Sequence, residues 1–263
     1  MGTRALVTND DGISSDGLRI LALAAEGAGL DVTLAAPDRE ASGSGAGLTA
    51  VQTDGRIVVT EHPLDGLASA RAYAVAALPG FIAAVGTRGA FGDPPEVVLS
   101  GINRGPNTGH AVIHSGTVGA ALTAAANGCP GIAVSLDLGP DPDAPPRWDT
   151  AARVLVAVLP AVLGADEPVV LNVNVPDVTV SELAGIRQAR LSRFGAAEMR
   201  VVEMRIGEEG SGFVRVTQVE TGAEPEEGTD VALLAAGFAT VTAIRGICEL
   251  EGQLAIPGRL GRT

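Results

Sequence analysis

Ala5-Leu6-Val7-Thr8-Asn9-Asp10-Asp11-Gly12 is the stretch that decides how this chain is read. Its first four residues are apolar or β-branched and spell a short buried strand. Two adjacent carboxylates and a glycine follow, and then a helical pattern begins. In open α/β sheets ligands collect beyond the carboxyl ends of the strands, where this turn would lie. Neighbouring acids repel each other unless a cation or a shared proton neutralises them. A hard divalent metal held by oxygen ligands (magnesium, calcium or manganese) is one resolution. An Asx-rich turn that caps the next helix is the other.

Outward from that stretch the pattern alternates. Asp16 to Ala28 has apolar positions at Leu18, Leu21 and Ala25 and stops at Gly27 and Gly29, which predicts a helix. Asp31 to Ala36 predicts a second strand, and strand, helix, strand at this spacing is a right-handed βαβ unit in a parallel sheet. A loop rich in Ser and Gly fills Asp38 to Leu48. Arg56 to Thr60 and Arg71 to Val75 read as short strands of a hairpin-like excursion, and Pro79 to Arg88 as a helix with Pro near its start. Glu96 to Ser100 is another buried strand, delivering the chain into a loop that begins at Gly101. Ser115 to Asn127 is a helix of very small residues that can approach the sheet closely, and Gly131 to Ser135 is the strand after it.

Trp148 to Leu163 predicts a long helix kinked or broken near its end by Pro160. Pro168 to Val173 is a strand. Met199 to Ile206 and Gly212 to Val219 alternate around Gly207-Glu208-Glu209-Gly210, a hairpin signal. Asp230 to Ala236 is a short helix and Phe238 to Ile244 a last strand. The fold class is α/β: a three-layer, Rossmann-like doubly wound core with a mostly parallel sheet over residues 1–176, and a β-rich C-terminal extension over 177–263.

Composition narrows the function. The 263 residues are 46% hydrophobic but only 3% aromatic, so the core is built from Ala, Val, Leu and Ile. The formal charge is −13 and the chain contains no lysine. Such a surface repels nucleic-acid backbones and anionic membranes, which disfavours a polymeric nucleic-acid partner but not a small phosphorylated substrate held by a metal. Without lysine there is no Walker-A lysine and no Schiff base. Cys129 and Cys248 show no C-x-x-C spacing and read as small buried hydrophobes in a reducing compartment. With no secretory pattern and no 18-residue apolar run, the expectation is a soluble cytoplasmic protein.

Three loops following three strands open on one edge of the sheet. The first offers Asn9, Asp10 and Asp11. The second offers Ser42 and Ser44, and the third Asn103, Asn107, Ser115 and Thr117. Two carboxylates with a hydroxyl and an amide oxygen make a hard, incomplete coordination shell that water would complete. Ser115-Gly116-Thr117 stands where a helix begins, so free backbone N–H groups and the helix dipole make an anion site there, with Ser115 as N-cap. Metal and anion cradle on one edge suggest phosphate-ester hydrolysis. Taken singly, the same residues also serve as turns and caps.

The runs V-T-N-D-D-G-I, A-P-D-R-E-A-S-G-S-G, S-G-I-N-R-G-P-N, H-S-G-T-V-G-A-A and L-N-V-N-V-P occur in one order over about 170 residues. Together they closely resemble the SurE family of metal-dependent nucleotidases, which act on nucleoside 5′- and 3′-monophosphates. The resemblance implies a Rossmann-like core, a homodimer or homotetramer with exchanged C-terminal elements, and one divalent cation (Mg²⁺ or Mn²⁺) per subunit. By motif the metal ligands are Asp10, Asp11, Ser42 and Asn103, while Asn9, Asn107, Ser115, Gly116 and Thr117 surround the phosphate. Gly228 to Asp230 (G-T-D) also resembles the family's C-terminal segment. One departure is Ala77-Leu78-Pro79-Gly80-Phe81-Ile82, where the family carries G-T-P-x-D-C; the Asp and Cys are missing. The tail after Ile244 matches no family pattern.

The implied mechanism is in-line attack on phosphorus by a metal-oriented water, its proton passing to Asp10 or Asp11. His114 is the candidate general acid for the leaving ribose oxygen. Three rivals exist. A haloacid-dehalogenase-type phosphatase needs D-x-D and a lysine, and both are missing. A dinucleotide module fails because Gly43-Ser44-Gly45-Ala46-Gly47-Leu48 places its third glycine one residue early, with no helix opening from it. A catalytically degenerate, nucleotide-binding family member is the remaining alternative.

Overall fold

The computed structural model describes residues 2–67, 70–139, 141, 143–193, 197–206, 212–220 and 225–246. The chain opens with β1 (Arg4–Thr8), α1 (Asp16–Gly27) and β2 (Asp31–Pro37), followed by the short strands β3 (Gln52–Thr53), β4 (Arg56–Ile57) and β5 (Val59–Glu61). Then come β6 (Arg71–Val75), α2 (Pro79–Gly86), β7 (Val97–Arg104), a 3₁₀ turn (Gly109–His114), α3 (Gly116–Ala126) and β8 (Gly131–Asp137). The remainder is α4 (Trp148–Leu163), β9 (Val170–Pro176), β10 (Ile186–Gln188), β11 (Ala197–Ile206), β12 (Gly212–Glu220), α5 (Asp230–Ala235) and β13 (Ala239–Ile244).

Nine strands form one sheet in the order β10-β13-β9-β8-β7-β1-β2-β6-β5. The six from β9 to β6 run parallel. β13 pairs antiparallel with β9, and β5 antiparallel with β6. From β1 the chain first winds outward through β2 and β6, then returns to the other side through β7, β8 and β9. The reversal lies between β1 and β7, and a ligand crevice belongs at such a switch point.

Strand alternation builds both faces. Ala5, Val7, Val97 and Leu99 face α1 and α4, packing with Leu18, Leu21, Val154 and Leu155. Leu6, Ala35 and Val98 face the other way, where Ile82 of α2 and Ala124 of α3 lie. Both faces are therefore dry, which explains why these strands read as continuous apolar runs. Among the described residues no helix is long and apolar enough to cross a membrane.

The structure departs from the sequence reading in four places. β7 continues to Arg104, so Gly101 to Arg104 are strand rather than loop, and Asn103 and Arg104 pair with Ser135 and Leu136 of β8. α4 has the expected bounds, Trp148–Leu163, but Pro160 lies inside it and does not break it. Pro160 is exposed, and the carbonyl it leaves without an N–H belongs to Val156, itself 41% exposed, so water can serve it. β6 is no excursion but a parallel strand of the main sheet, with β5 folded back on it. β10, three residues without an apolar alternation, was not expected. The β11–β12 hairpin pairs as expected; its turn, 207–210, and Cys248 lie outside the described residues. Cys129 is buried, and burial pushes its thiol up to about 11.

Candidate active site

The turn after β1 is shaped from behind. Asn9 is fully buried, its amide donating to the Gly12 carbonyl (3.1 Å) and to Ser15 Oγ (2.6 Å) while its Oδ1 accepts the Gly12 N–H at 3.2 Å. Gly12 sits at φ +98°, a conformation that glycine tolerates without strain. This closed loop turns Asp10 and Asp11 over the end of the sheet, and Ser15 caps α1 beneath them. Asn9 itself does not line the cleft, because its polar atoms are consumed in holding the turn.

Asp10 and Asp11 open into a cleft of about 350 Å³, shared with Ser42, Asn103, Asn107 and His114. Ser115 completes the wall, so seven of the eleven residues singled out from sequence meet there. Gly116 and Thr117 lie just behind, in the first turn of α3. The Thr117 hydroxyl donates to Asp10 Oδ1 and lies 3.2 Å from Asn103 Oδ1, tying the ends of β1 and β7 to α3. A Cβ on Gly116 would fall 2.7 Å from Asp10 Oδ2 and 2.5 Å from Ser44 Oγ, so only glycine lets α3 start this close to the carboxylate. Ser115 caps α3 by accepting the Val118 N–H at 3.1 Å, as the sequence indicated.

Two carboxylates share this small space, and their environment shows it. Burial raises Asp10 above its ordinary value, against hydrogen bonds from Thr117 and Gly116 that work to lower it. Burial first, and then the charge of Asp10, push Asp11 up to about 6. The Arg104 N–H reaches Asp11 Oδ2 at 3.3 Å and offsets part of this.

Three contributors were not singled out from sequence as site residues. Glu40 lines the cleft and accepts the Ser42 hydroxyl at 2.8 Å. More telling is the pair Asn172 and Asn174 on β9, both fully buried and two residues apart on one face. Their amides donate to the Asn107 carbonyl at 2.8 and 2.9 Å, and Asn174 Oδ1 accepts the Asn107 N–H at 2.7 Å. Asn107 in turn donates its own side-chain amide to Ser135 Oγ at 2.7 Å. The signal was present in L-N-V-N-V-P: amides at alternate positions of a strand buried on both faces need a polar partner. Ala77 to Ile82, by contrast, lead into α2, which starts at Pro79 with Leu78 as its N-cap, and do not line the cleft.

The donors fit a hard divalent cation. They are all oxygens, the two carboxylates repel each other at close quarters, and a hydroxyl and an amide oxygen stand beside them.

A doubly wound, mostly parallel sheet with paired acids at its switch point, beside a helix N-terminus, defines an α/β protein with a ligand crevice at the carboxyl ends of its strands. Comparison with known proteins narrows that class. The family described as Survival protein SurE matches residues 5–198. A 5′-nucleotidase SurE of Rhodopseudomonas palustris (strain BisB18) is 34% identical over 250 residues, covering 92% of this chain and 93% of that protein. One from Carboxydothermus hydrogenoformans is 33% identical over 245 residues, covering 92% and 89%. The crystal structure of the SurE protein from Aquifex aeolicus superposes with a TM-score of 0.75 at 31% identity, covering 92% of this chain and 93% of that one. This chain belongs to the SurE family.

Proposed function

We propose that this protein is a 5′-nucleotidase that releases phosphate from nucleoside 5′-monophosphates, and from 3′-monophosphates as well, with a divalent cation (Mg²⁺ or Mn²⁺) held by Asp10, Asp11, Ser42 and Asn103. The observation that carries this reading is the meeting of Asp10 and Asp11 with Asn107 and Ser115 in one cleft at the switch point. The relatives' names support the substrate class. A bound cation would neutralise the paired acids and activate water towards phosphorus.

The chain's own groups do the rest. The N–H groups of Gly116 and Thr117 are engaged by Asp10 and that of Val118 by Ser115, so the positive end of the α3 dipole and the side-chain amide of Asn107 hold the phosphate oxygens and the charge that develops on them. Asp10, fixed by Thr117, orients the cleft floor. Asp11 has one oxygen against the Arg104 N–H, so its Oδ1 takes the proton from the attacking water. As the new P–O bond forms, the bond to the ribose oxygen breaks, and His114 at the rim supplies that oxygen with a proton.

The test is phosphate release from a panel of nucleoside monophosphates by chelator-stripped protein, with and without restored Mn²⁺ or Mg²⁺. Turnover should appear only with the metal. Asp10→Asn should lower it by roughly a hundredfold or more while the protein stays folded. Turnover that survives chelation, or an Asp10→Asn variant as fast as its parent, overturns the reading.

A further inference from the structure

Asp230 stands far from the cleft in sequence, at the start of α5, and is fully buried. Burying a carboxylate is unfavourable unless hydrogen bonds replace its water. Here three backbone donors do so. Oδ2 accepts the Gly109 N–H at 2.7 Å, and Oδ1 accepts the N–H of Ser192 at 2.8 Å and of Val231 at 2.9 Å. Around it the chain is doubly tied: the Asp230 N–H donates to the Arg190 carbonyl at 2.8 Å, and the His110 N–H to the Ser192 carbonyl at 3.0 Å.

A helix cap would explain an acid at this place, but Thr229 already caps α5 by accepting the Ala232 N–H. The bond that needs explaining is the one to Gly109, across 121 residues of sequence. Gly109 lies two residues after Asn107 and opens the 3₁₀ turn that ends at His114, next to Ser115. Asn107, His114 and Ser115 all line the cleft. Asn172 and Asn174 hold the front of this segment; Asp230 holds the bend behind it.

We infer that Asp230 is a positioning residue for phosphate transfer: through the Gly109 N–H it locks the Asn107–Ser115 segment in its cleft-lining shape. This makes the C-terminal part of the chain a working support of the site rather than an appendage. The inference rests on the proposed nucleotidase reading for its kinetic consequence only. Asparagine at 230 keeps the volume but offers one acceptor oxygen, so its NH₂ must face one of the backbone donors.

The experiment pairs amide hydrogen exchange with kinetics on Asp230→Asn, using a nucleoside 5′-monophosphate with Mn²⁺. Exchange at Gly109, His110 and Ser192 should quicken tenfold or more, with β1 and β7 unchanged. In the same protein kcat should fall tenfold or more while KM moves less than threefold. Unchanged exchange at Gly109, unchanged kcat, or faster exchange spread evenly over the whole chain each overturns the inference. Should the variant not fold, the wild type decides: amides released by one opening share one protection factor once intrinsic rates are divided out, and protection factors at Gly109 and Ser192 that differ tenfold or more refute the tie. A wild type without nucleotidase activity would instead sink the proposed function, leaving the exchange result to judge Asp230 by itself.

Discussion

At Asn174 a single side chain extends the sheet's own hydrogen bonding into the site loop. Its amide both gives to and takes from the backbone of Asn107, as a neighbouring strand would, and it does so with no exposure to water. Replacing it by Asp preserves size and keeps the acceptor, but sets a carboxylate oxygen against the Asn107 carbonyl. Leaving that carbonyl facing a buried charge should lower stability by about 2–4 kcal/mol. Urea unfolding of Asn174→Asp measures this, and a loss below about 0.5 kcal/mol would show the loop is held by other means. Residue-level chemistry of this kind was only partly legible in the sequence. Asp10, Asp11 and Ser115 announce themselves because adjacent charges and a helix start have local signatures. Asn172, Asn174 and Asp230 do not, since the Asn107–Gly109 backbone groups they hold lie 65 residues or more away in the chain.

Elements, unlike residues, carry their packing in local composition, and α3 shows how far that goes. Its run of Gly, Thr and Ala predicts close approach, and the structure shows what it approaches: a Cβ on Gly119 would collide with the Gly45 carbonyl, in the loop that carries Ser42 and Ser44. Gly119→Ala should gain in helix propensity yet lose more through that collision, because neither backbone can yield cheaply. The expected net loss is about 2 kcal/mol, a fall of roughly 4–8 °C in melting temperature for a chain of this size. Differential scanning calorimetry reads it, and a melting temperature at or above the parent's would mean that the loop moves aside freely. The elements misjudged from sequence fail for identifiable reasons. β7 outruns its apolar stretch because β8 goes on pairing with it beyond Ser100. α4 survives Pro160 because the lost bond faces water. β10 is too short for periodicity to mark, and only β13 beside it makes it a strand.

Across the whole molecule the paired acids weigh on stability, and pH makes the effect separable from the overall charge of −13. Asp11 sits at about 6 in the folded chain against an ordinary 3.8, so between those values the folded state binds a proton that the unfolded state has already lost. Its contribution to folding is therefore fully present below about pH 4 and is lost as pH rises through 6. At about 1.4 kcal/mol per pH unit the shift amounts to roughly 3 kcal/mol, and solvent at the cleft reduces that to about 1–2 kcal/mol. In chelator at pH 7.5, Asp11→Asn should accordingly be more stable than its parent by about 1–2 kcal/mol, since the amide removes the ionised neighbour while its oxygen still accepts the Arg104 N–H. The advantage should fall to roughly half by pH 5 and approach zero only below about pH 4, where Asp11 is protonated in the folded and unfolded states alike. Every other carboxylate is common to both proteins, so general relief of negative charge cancels in the comparison. Urea unfolding of the two at pH 7.5 and pH 5 measures the difference. A gap that stays constant with pH would mean that Asp11 is not held ionised against its neighbour, and that the two acids create no demand for a cation between them.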